Sequence, residues 1–165
     1  MPTRRQFIAF AITTVAVAPA LAWVTQPDQA NRGDEARFRV RFADDEWRRR
    51  LTPEQYRVLR HEGTERPFSS PLAHEHAPGT FFCAGCELPV FESSAKFESG
   101  TGWPSYSRPI DQAVETSVDH SWLMVRTEVH CARCGSHLGH VFADGPPPTG
   151  LRYCMNGVAL RFRRA

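Results

Sequence analysis

Apolar positions change their rhythm along the chain, and each change predicts a different element. Phe7 to Ala18 is an almost continuous apolar run, too short to span a bilayer comfortably. Residues 23–43 show no apolar period. They are polar, mixed in charge and hold Pro27, Asn31 and Gly33, which predicts a linker with order beginning near Asp44. Asp44 to Leu51 predicts a short helical turn. Thr52-Pro53-Glu54-Gln55 predicts a helix start. The threonine hydroxyl can accept from a free N–H, proline suits the first helical position, and Gln55 reaches back from three residues on. Tyr56 and Leu59 then share a face, and Gly63 is placed to end the helix. Gly63 to Phe68 follows as a polar loop, in which Thr64 and Glu65 serve structure or rim a site.

From Thr80 the period shortens to that of strands. Thr80-Phe81-Phe82 and Leu88-Pro89-Val90-Phe91 flank one tight segment, and Trp122 to Val129 leads into another. In the latter, Leu123, Val125 and Val129 are expected on a buried face, with Arg126 and Glu128 opposite. His137 to Phe142, Leu151 to Asn156 and Val158 to Phe162 are further short strands. Asp144-Gly145-Pro146-Pro147-Pro148-Thr149-Gly150 is a loop. The pattern predicts a mainly β, largely antiparallel fold with short helices at its N-terminal edge.

Composition changes this picture at the start of the chain. Arg4 and Arg5 precede the apolar run, and Pro19-Ala20-Leu21-Ala22 follows it as a small-x-small cleavage site. Residues 1–22 therefore read as an export signal, residues 23–43 as linker and residues 44–165 as the working domain. Thr3-Arg4-Arg5-Gln6-Phe7-Ile8 resembles the twin-arginine signal that exports folded proteins, although Ala9 stands where a lysine is usual. The expected location is periplasmic or otherwise exported, with no membrane insertion after signal removal. Without residues 1–22, 18 basic and 18 acidic residues remain. A neutral chain without single-sign runs gives no reason to expect nucleic acid or anionic lipid as partner.

The five cysteines divide unequally. Cys83-Ala84-Gly85-Cys86 and Cys131-Ala132-Arg133-Cys134 are two like units flanked by strand residues. Two such knuckles can point four sulfurs at one ion, the pattern of a tetrahedral zinc site. Two disulfides compete in an exported protein, and a redox-active Cys-x-x-Cys is a third reading, although that needs only one pair in a βαβ unit. Cys154 is left over, in Gly150-Leu151-Arg152-Tyr153-Cys154-Met155-Asn156. A nucleophilic thiol needs a proton acceptor or a positive charge nearby, and His137, His140 and Arg152 are candidates if their strands are neighbours. His137-Leu138-Gly139-His140 does not fit a helical zinc-protease motif, because Gly139 sits among strands and no glutamate lies between the histidines.

These residues resemble the methionine sulfoxide reductase B family. The resemblance runs from about Trp47 to Phe162 and takes in Leu51-Thr52-Pro53-Glu54-Gln55-Tyr56, Gly63-Thr64-Glu65, both cysteine pairs, Gly102-Trp103-Pro104-Ser105, His137 to Phe142, Asp144-Gly145-Pro146 and Gly150 to Asn156. It implies two small antiparallel sheets with peripheral helices and one structural Zn²⁺ held by Cys83, Cys86, Cys131 and Cys134, remote from the active site. The activity implied is reduction of the R epimer of methionine sulfoxide, free or in proteins, through a sulfenic acid on Cys154. His137, His140 and Asn156 match the groups that hold and protonate the oxygen. Trp103 matches the aromatic wall against the methyl on sulfur, and Thr64 and Arg152 are expected at the substrate. One departure bears on recycling: Thr101 stands where many members carry a resolving cysteine, so an external thiol or thioredoxin-like reductant is expected. A zinc-ribbon interaction module would use the four paired cysteines but leave Cys154 and the histidines idle. A cysteine hydrolase would leave Trp103 and the knuckles without a role.

Overall fold

The structure, a computed structural model, describes residues 37–121 and 124–165. The expected export signal, most of the expected linker, and Trp122 and Leu123 lie outside the described residues. The packed chain starts ahead of the Asp44 boundary: Phe38 is buried, Val40 N–H donates to Arg133 O at 3.0 Å, and the Phe42 ring meets Trp47 edge-on.

Helix α1 (Asp44–Arg50) has three acids in its first turn and three arginines in its last, each complementing the helix dipole. Its i,i+4 pairs, such as Arg49–Asp45, are exposed, and solvent screening leaves them little weight in stability. Helix α2 (Pro53–His61) begins with the full capping box: Thr52 Oγ1 accepts from Gln55 N–H, and Gln55 Oε1 accepts from Thr52 N–H. It ends at His61, two residues before Gly63, with Glu62 taking the left-handed conformation. Tyr56, Val58 and Leu59 face the core.

Nine strands follow among the described residues: β1 (Gly79–Cys83), β2 (Pro89–Glu92), β3 (Lys96–Phe97), β4 (Ser105–Tyr106), β5 (Val114–Asp119), β6 (Arg126–Cys131), β7 (His137–Phe142), β8 (Arg152–Met155) and β9 (Leu160–Arg164). They form a three-stranded sheet in the order β2-β1-β9 and a six-stranded sheet in the order β3-β4-β8-β7-β6-β5, antiparallel at every pairing. Phe91 stacks on Tyr106 at 4.2 Å between ring centres and Phe81 meets Tyr106 edge-on at 5.1 Å, so aromatic rings fill the core between the sheets. Full burial of rings such as Phe81 and Phe91 contributes about 1.5–3 kcal/mol each.

Three details depart from the sequence pattern. Strand β5 carries no expectation from it. Strand β6 starts at Arg126, and Val125, expected inside, is 74% exposed at the end of the β5–β6 hairpin. The last strand begins at Leu160, because Gly157–Ala159 forms a 3₁₀ turn. Glu65 fixes that turn: its buried carboxylate accepts from Gly157 N–H at 2.7 Å and Val158 N–H at 2.8 Å.

Candidate functional site

Strands β7 and β8 build the site between them. The Asp144 to Gly150 loop folds back on itself, Gly150 N–H donating to Pro146 O at 3.0 Å, and returns the chain antiparallel. The register then sets His140 directly opposite Cys154. Directly opposed residues put their Cβ atoms about 4.5–5.5 Å apart on one face, so thiol and imidazole share a cavity. Gly139 allows the strands to lie this close: a Cβ there would come within 2.2 Å of Cys154 O.

His137 and His140 would point to opposite faces of a regular strand, being three residues apart. A bulge removes the conflict. Val129 pairs with Gly139, but His130 pairs with His137, so Leu138 is an extra residue on β7. Leu138 turns into the core, and the two histidine rings lie 5.3 Å apart with an edge-to-face tilt.

The cavity beside Cys154 measures about 130 Å³ and is lined by Thr64, Trp103, Arg126, Gly139, His140, Phe142, Cys154 and Asn156. It far exceeds the ~15 Å³ that one water needs. Trp103 is held in place by its indole N–H, which donates to Glu65 O at 3.3 Å. Asn156 is buried; its Oδ1 accepts from Glu65 N–H at 2.9 Å and its Nδ2 donates to Leu138 O at 3.2 Å, leaving the second Nδ2 hydrogen. Of the residues expected at the site, Cys154, His140, Asn156, Trp103 and Thr64 meet here.

His137 and Arg152 do not line this cavity. His137 is 2% exposed, stands behind His140, and borders a separate polar cavity of about 110 Å³. Arg152 lies beside Cys154 but outside the cavity lining, its guanidinium held by Asp144. It donates from Nε and Nη2 to the two carboxylate oxygens of Asp144, both at 2.9 Å, and lies 4.6 Å over the Phe142 ring. It thereby braces an aromatic wall of the cavity and adds positive charge beside the thiol.

Both histidines have carboxylate partners that the sequence pattern did not single out. Asp119 Oδ2 accepts from His140 Nε2 at 2.8 Å and from Arg126 Nη2 at 2.6 Å. Burial alone would raise the Asp119 carboxyl. Hydrogen bonds from Ser121, His140 and Arg126 outweigh it and hold the group well below the usual carboxylate range. Glu128 Oε1 accepts from His137 Nδ1 at 2.8 Å, and Ser117 Oγ donates to Glu128 Oε2 at 2.6 Å. Here too burial opposes ionisation, and the bonds from His137 and Ser117 win, keeping Glu128 low. Both carboxylates are therefore acceptors, which puts the proton of His140 on Nε2 and that of His137 on Nδ1. Nδ1 of His140 is the nitrogen left to face a reacting group; His137 Nε2 is buried without a hydrogen-bond partner among the described residues. Burial lowers His140, against the pull of Asp119, so its ring is neutral near pH 7.

Cys154 is half-buried, and burial pushes its thiol up. The charge and hydrogen bonding of Arg152, with the hydroxyls of Thr101 and Ser105, pull it down without cancelling that effect. Thr101 Oγ1 lies 3.9 Å from Cys154 Sγ and 2.8 Å from Ser99 Oγ. The resting group is a protonated thiol beside a neutral imidazole.

The other four cysteines gather elsewhere, and none lines the Cys154 cavity. Cys83 ends β1 and Cys131 ends β6, so one knuckle comes from each sheet. Their four sulfurs all lie within 4.8 Å of one another, with Cys86–Cys131 at 3.5 Å and Cys83–Cys134 at 3.8 Å. A disulfide needs about 2.05 Å, so the two-disulfide reading does not describe this cluster. A tetrahedron of thiolates with ~2.3 Å metal bonds has edges of about 3.8 Å, and these four residues can hold one such ion. The Cys134 thiol is held low by hydrogen bonds from Cys131, Cys83 and Cys86, the condition for a first thiolate in the cluster.

A thiol beside an imidazole, in an apolar-walled cavity on a β scaffold with its own metal-type cluster, is the equipment of a cysteine-dependent enzyme. Residues 51–164 match the SelR domain model, and the chain belongs to that family. It is 58% identical over 120 residues to a protein from Thiobacillus denitrificans named peptide methionine sulfoxide reductase MsrB, covering 72% of this chain and 91% of that one. A Bradyrhizobium diazoefficiens protein of the same name is 56% identical over 120 residues, covering 72% and 86%. The chloroplastic peptide methionine sulfoxide reductase B1 of Arabidopsis thaliana is 49% identical over 137 residues, covering 82% and 67%.

Proposed function

We infer that this protein reduces the R epimer of methionine sulfoxide to methionine and repairs oxidised proteins, with Cys154 as its nucleophile. The observation that carries this reading is the pairing of Cys154 with His140 across β7 and β8, inside a cavity walled by Trp103 and Phe142. The indole and phenyl faces suit the methyl and methylene groups on either side of the sulfoxide sulfur. His140, neutral and with a free lone pair, takes the Cys154 proton as the sulfur attacks and returns it to the sulfoxide oxygen. Asn156 has one Nδ2 hydrogen left for that oxygen. The balance is closed: thiol plus sulfoxide gives sulfenic acid plus thioether, so Cys154 is oxidised by two electrons and the substrate is reduced by two.

Recycling needs a second reductant. Thr101 holds the place beside Cys154 from which an intramolecular thiol would act, and the other four sulfurs belong to the cluster. Two external thiols, or one dithiol of the thioredoxin kind, return the sulfenic acid to thiol with release of water and a disulfide. The cluster's donor set favours Zn²⁺ as the ion, held by Cys83, Cys86, Cys131 and Cys134 in a structural role.

Export by residues 1–22 belongs to the same proposal and rests on Arg4, Arg5 and the apolar run after them. A reporter carrying residues 1–30 tests it: Arg4→Lys with Arg5→Lys should block export, and unimpaired export would point to the general secretory route.

The central test is turnover of the separated R and S epimers with dithiothreitol. The wild type should consume the R epimer alone, and Cys154→Ser should fold but lose the activity. Substrate added without reductant should yield one methionine per chain and a dimedone adduct on Cys154. Activity surviving in the serine variant would end this assignment.

A further inference from the structure

The loop that follows the cavity residue Thr64 holds an aromatic residue in a conformation its side chain does not favour. Ser69 N–H donates to Arg66 O at 3.3 Å, closing a turn with Pro67 at its second position and Phe68 at its third. Phe68 has φ +61°. Proline followed by a positive φ is the pattern of a type II turn, whose third position ordinarily takes glycine. A bulky residue there is strained. The aromatic ring gains little burial in return, because Phe68 is 67% exposed.

Phe68 is nonetheless fixed in place, against the segment that leads into the cavity residue Trp103. Its N–H donates to Gly102 O at 2.7 Å, and its ring lies over Gly102 so closely that a Cβ there would be 2.9 Å from Phe68 Cδ2. Gly102, itself at φ +92°, leads directly into Trp103. A second bond ties the same two loops, Trp103 Nε1 to Glu65 O. The loop bearing Thr64 and the loop bearing Trp103 are thus stapled together, with an exposed aromatic ring set on the staple. Strain held by surrounding structure points to a use outside the fold.

We propose that Phe68 is a specificity-determining residue: an apolar platform for the residue next to methionine sulfoxide in an oxidised polypeptide. This role rests on the activity inferred above and assigns to one residue the part of binding that a peptide has and a free amino acid lacks. A free amino acid fills the cavity and ends there. A polypeptide extends beyond the cavity, and between the segments bearing Thr64 and Trp103 the ring offers it an apolar surface backed by Gly102.

Phe68→Gly isolates this role, because glycine suits the turn and the change removes the ring without adding strain. The substrates are a short peptide with leucine on both sides of methionine-R-sulfoxide, and free methionine-R-sulfoxide. The expected result is kcat/KM lowered about fivefold or more for the peptide, as for loss of an aromatic contact at an interface, with the free amino acid unchanged and the melting temperature held or raised. Phe68→Leu should recover part of the loss. Equal change on both substrates, or none on either, would overturn the platform. Failure of the underlying activity would look different, since the wild type would then reduce neither substrate, and the platform would fall with it.

Discussion

Cys154 is a thiol whose surroundings work against one another. Burial disfavours the thiolate, while Arg152, Thr101 and Ser105 favour it. Because the net effect is upward, the rate of Cys154 alkylation should rise with pH to a midpoint above the ordinary 9.0. The Thr101 hydroxyl stabilises the charged form, so Thr101→Val should move that midpoint further up. Peptide-resolved labelling with iodoacetamide between neutral and alkaline pH measures both. A midpoint in the neutral range, or a downward move in the valine variant, would contradict this account. The balance bears on the role proposed for His140: a protonated thiol needs a base once substrate displaces water, and in that proposal the neutral imidazole opposite it in the sheet is the base.

The β5–β6 hairpin supplies the acids that the histidines of β7 require. Asp119 at the end of β5 and Arg126 at the start of β6 are paired residues, and both engage the His140 side of the sheet. The hairpin thus fixes the tautomer of His140 as well as its direction. Asp119→Asn offers an amide that can donate to Nε2, which would move the ring proton to Nδ1 and remove the base. Turnover should fall about 10²-fold, and Nδ1 and Nε2 should exchange roles in the ¹⁵N spectrum of the imidazole. Near-normal turnover with the proton still on Nε2 would refute the positioning role. Asp119→Glu, which keeps an acceptor, should restore part of the rate.

The four-cysteine cluster joins the two sheets, with Cys83 closing β1 and Cys131 closing β6. Ala84 N–H donates to Ala159 O, and the Arg133 guanidinium reaches across from the second knuckle to donate from Nη1 to Cys86 O in the first. Such sites contribute folding free energy rather than chemistry; about 10–16 kcal/mol is typical of zinc in isolated knuckle peptides. Cys134→Ser should release the metal and lower the melting temperature by about 10 °C or more, with whatever remains folded still reacting at Cys154. Metal analysis and calorimetry on the full chain decide it, and an unchanged melting temperature in a metal-free variant would show that the cluster holds nothing together.

What the sequence by itself determined was the chemistry confined to short stretches. The Thr52–Gln55 cap, the two knuckles and the glycine-proline loop before β8 each act over a few residues, so spacing alone defines them. Cys154 stood out because it is the cysteine without a near partner. The carboxylates did not stand out, although β5 carries a faint signal: Val114, Thr116 and Val118 alternate with Glu115, Ser117 and Asp119. An edge strand with one polar face reads much like a loop, and what its acids touch depends on register. A slip of one residue would turn Asp119 and Glu128 to the other face. The same holds for the histidines, which the Leu138 bulge brings to one side, and for Arg152, whose charge Asp144 captures from across the loop. Those contacts join residues distant along the chain or reversed by its turns, and only the folded sheet brings them within reach.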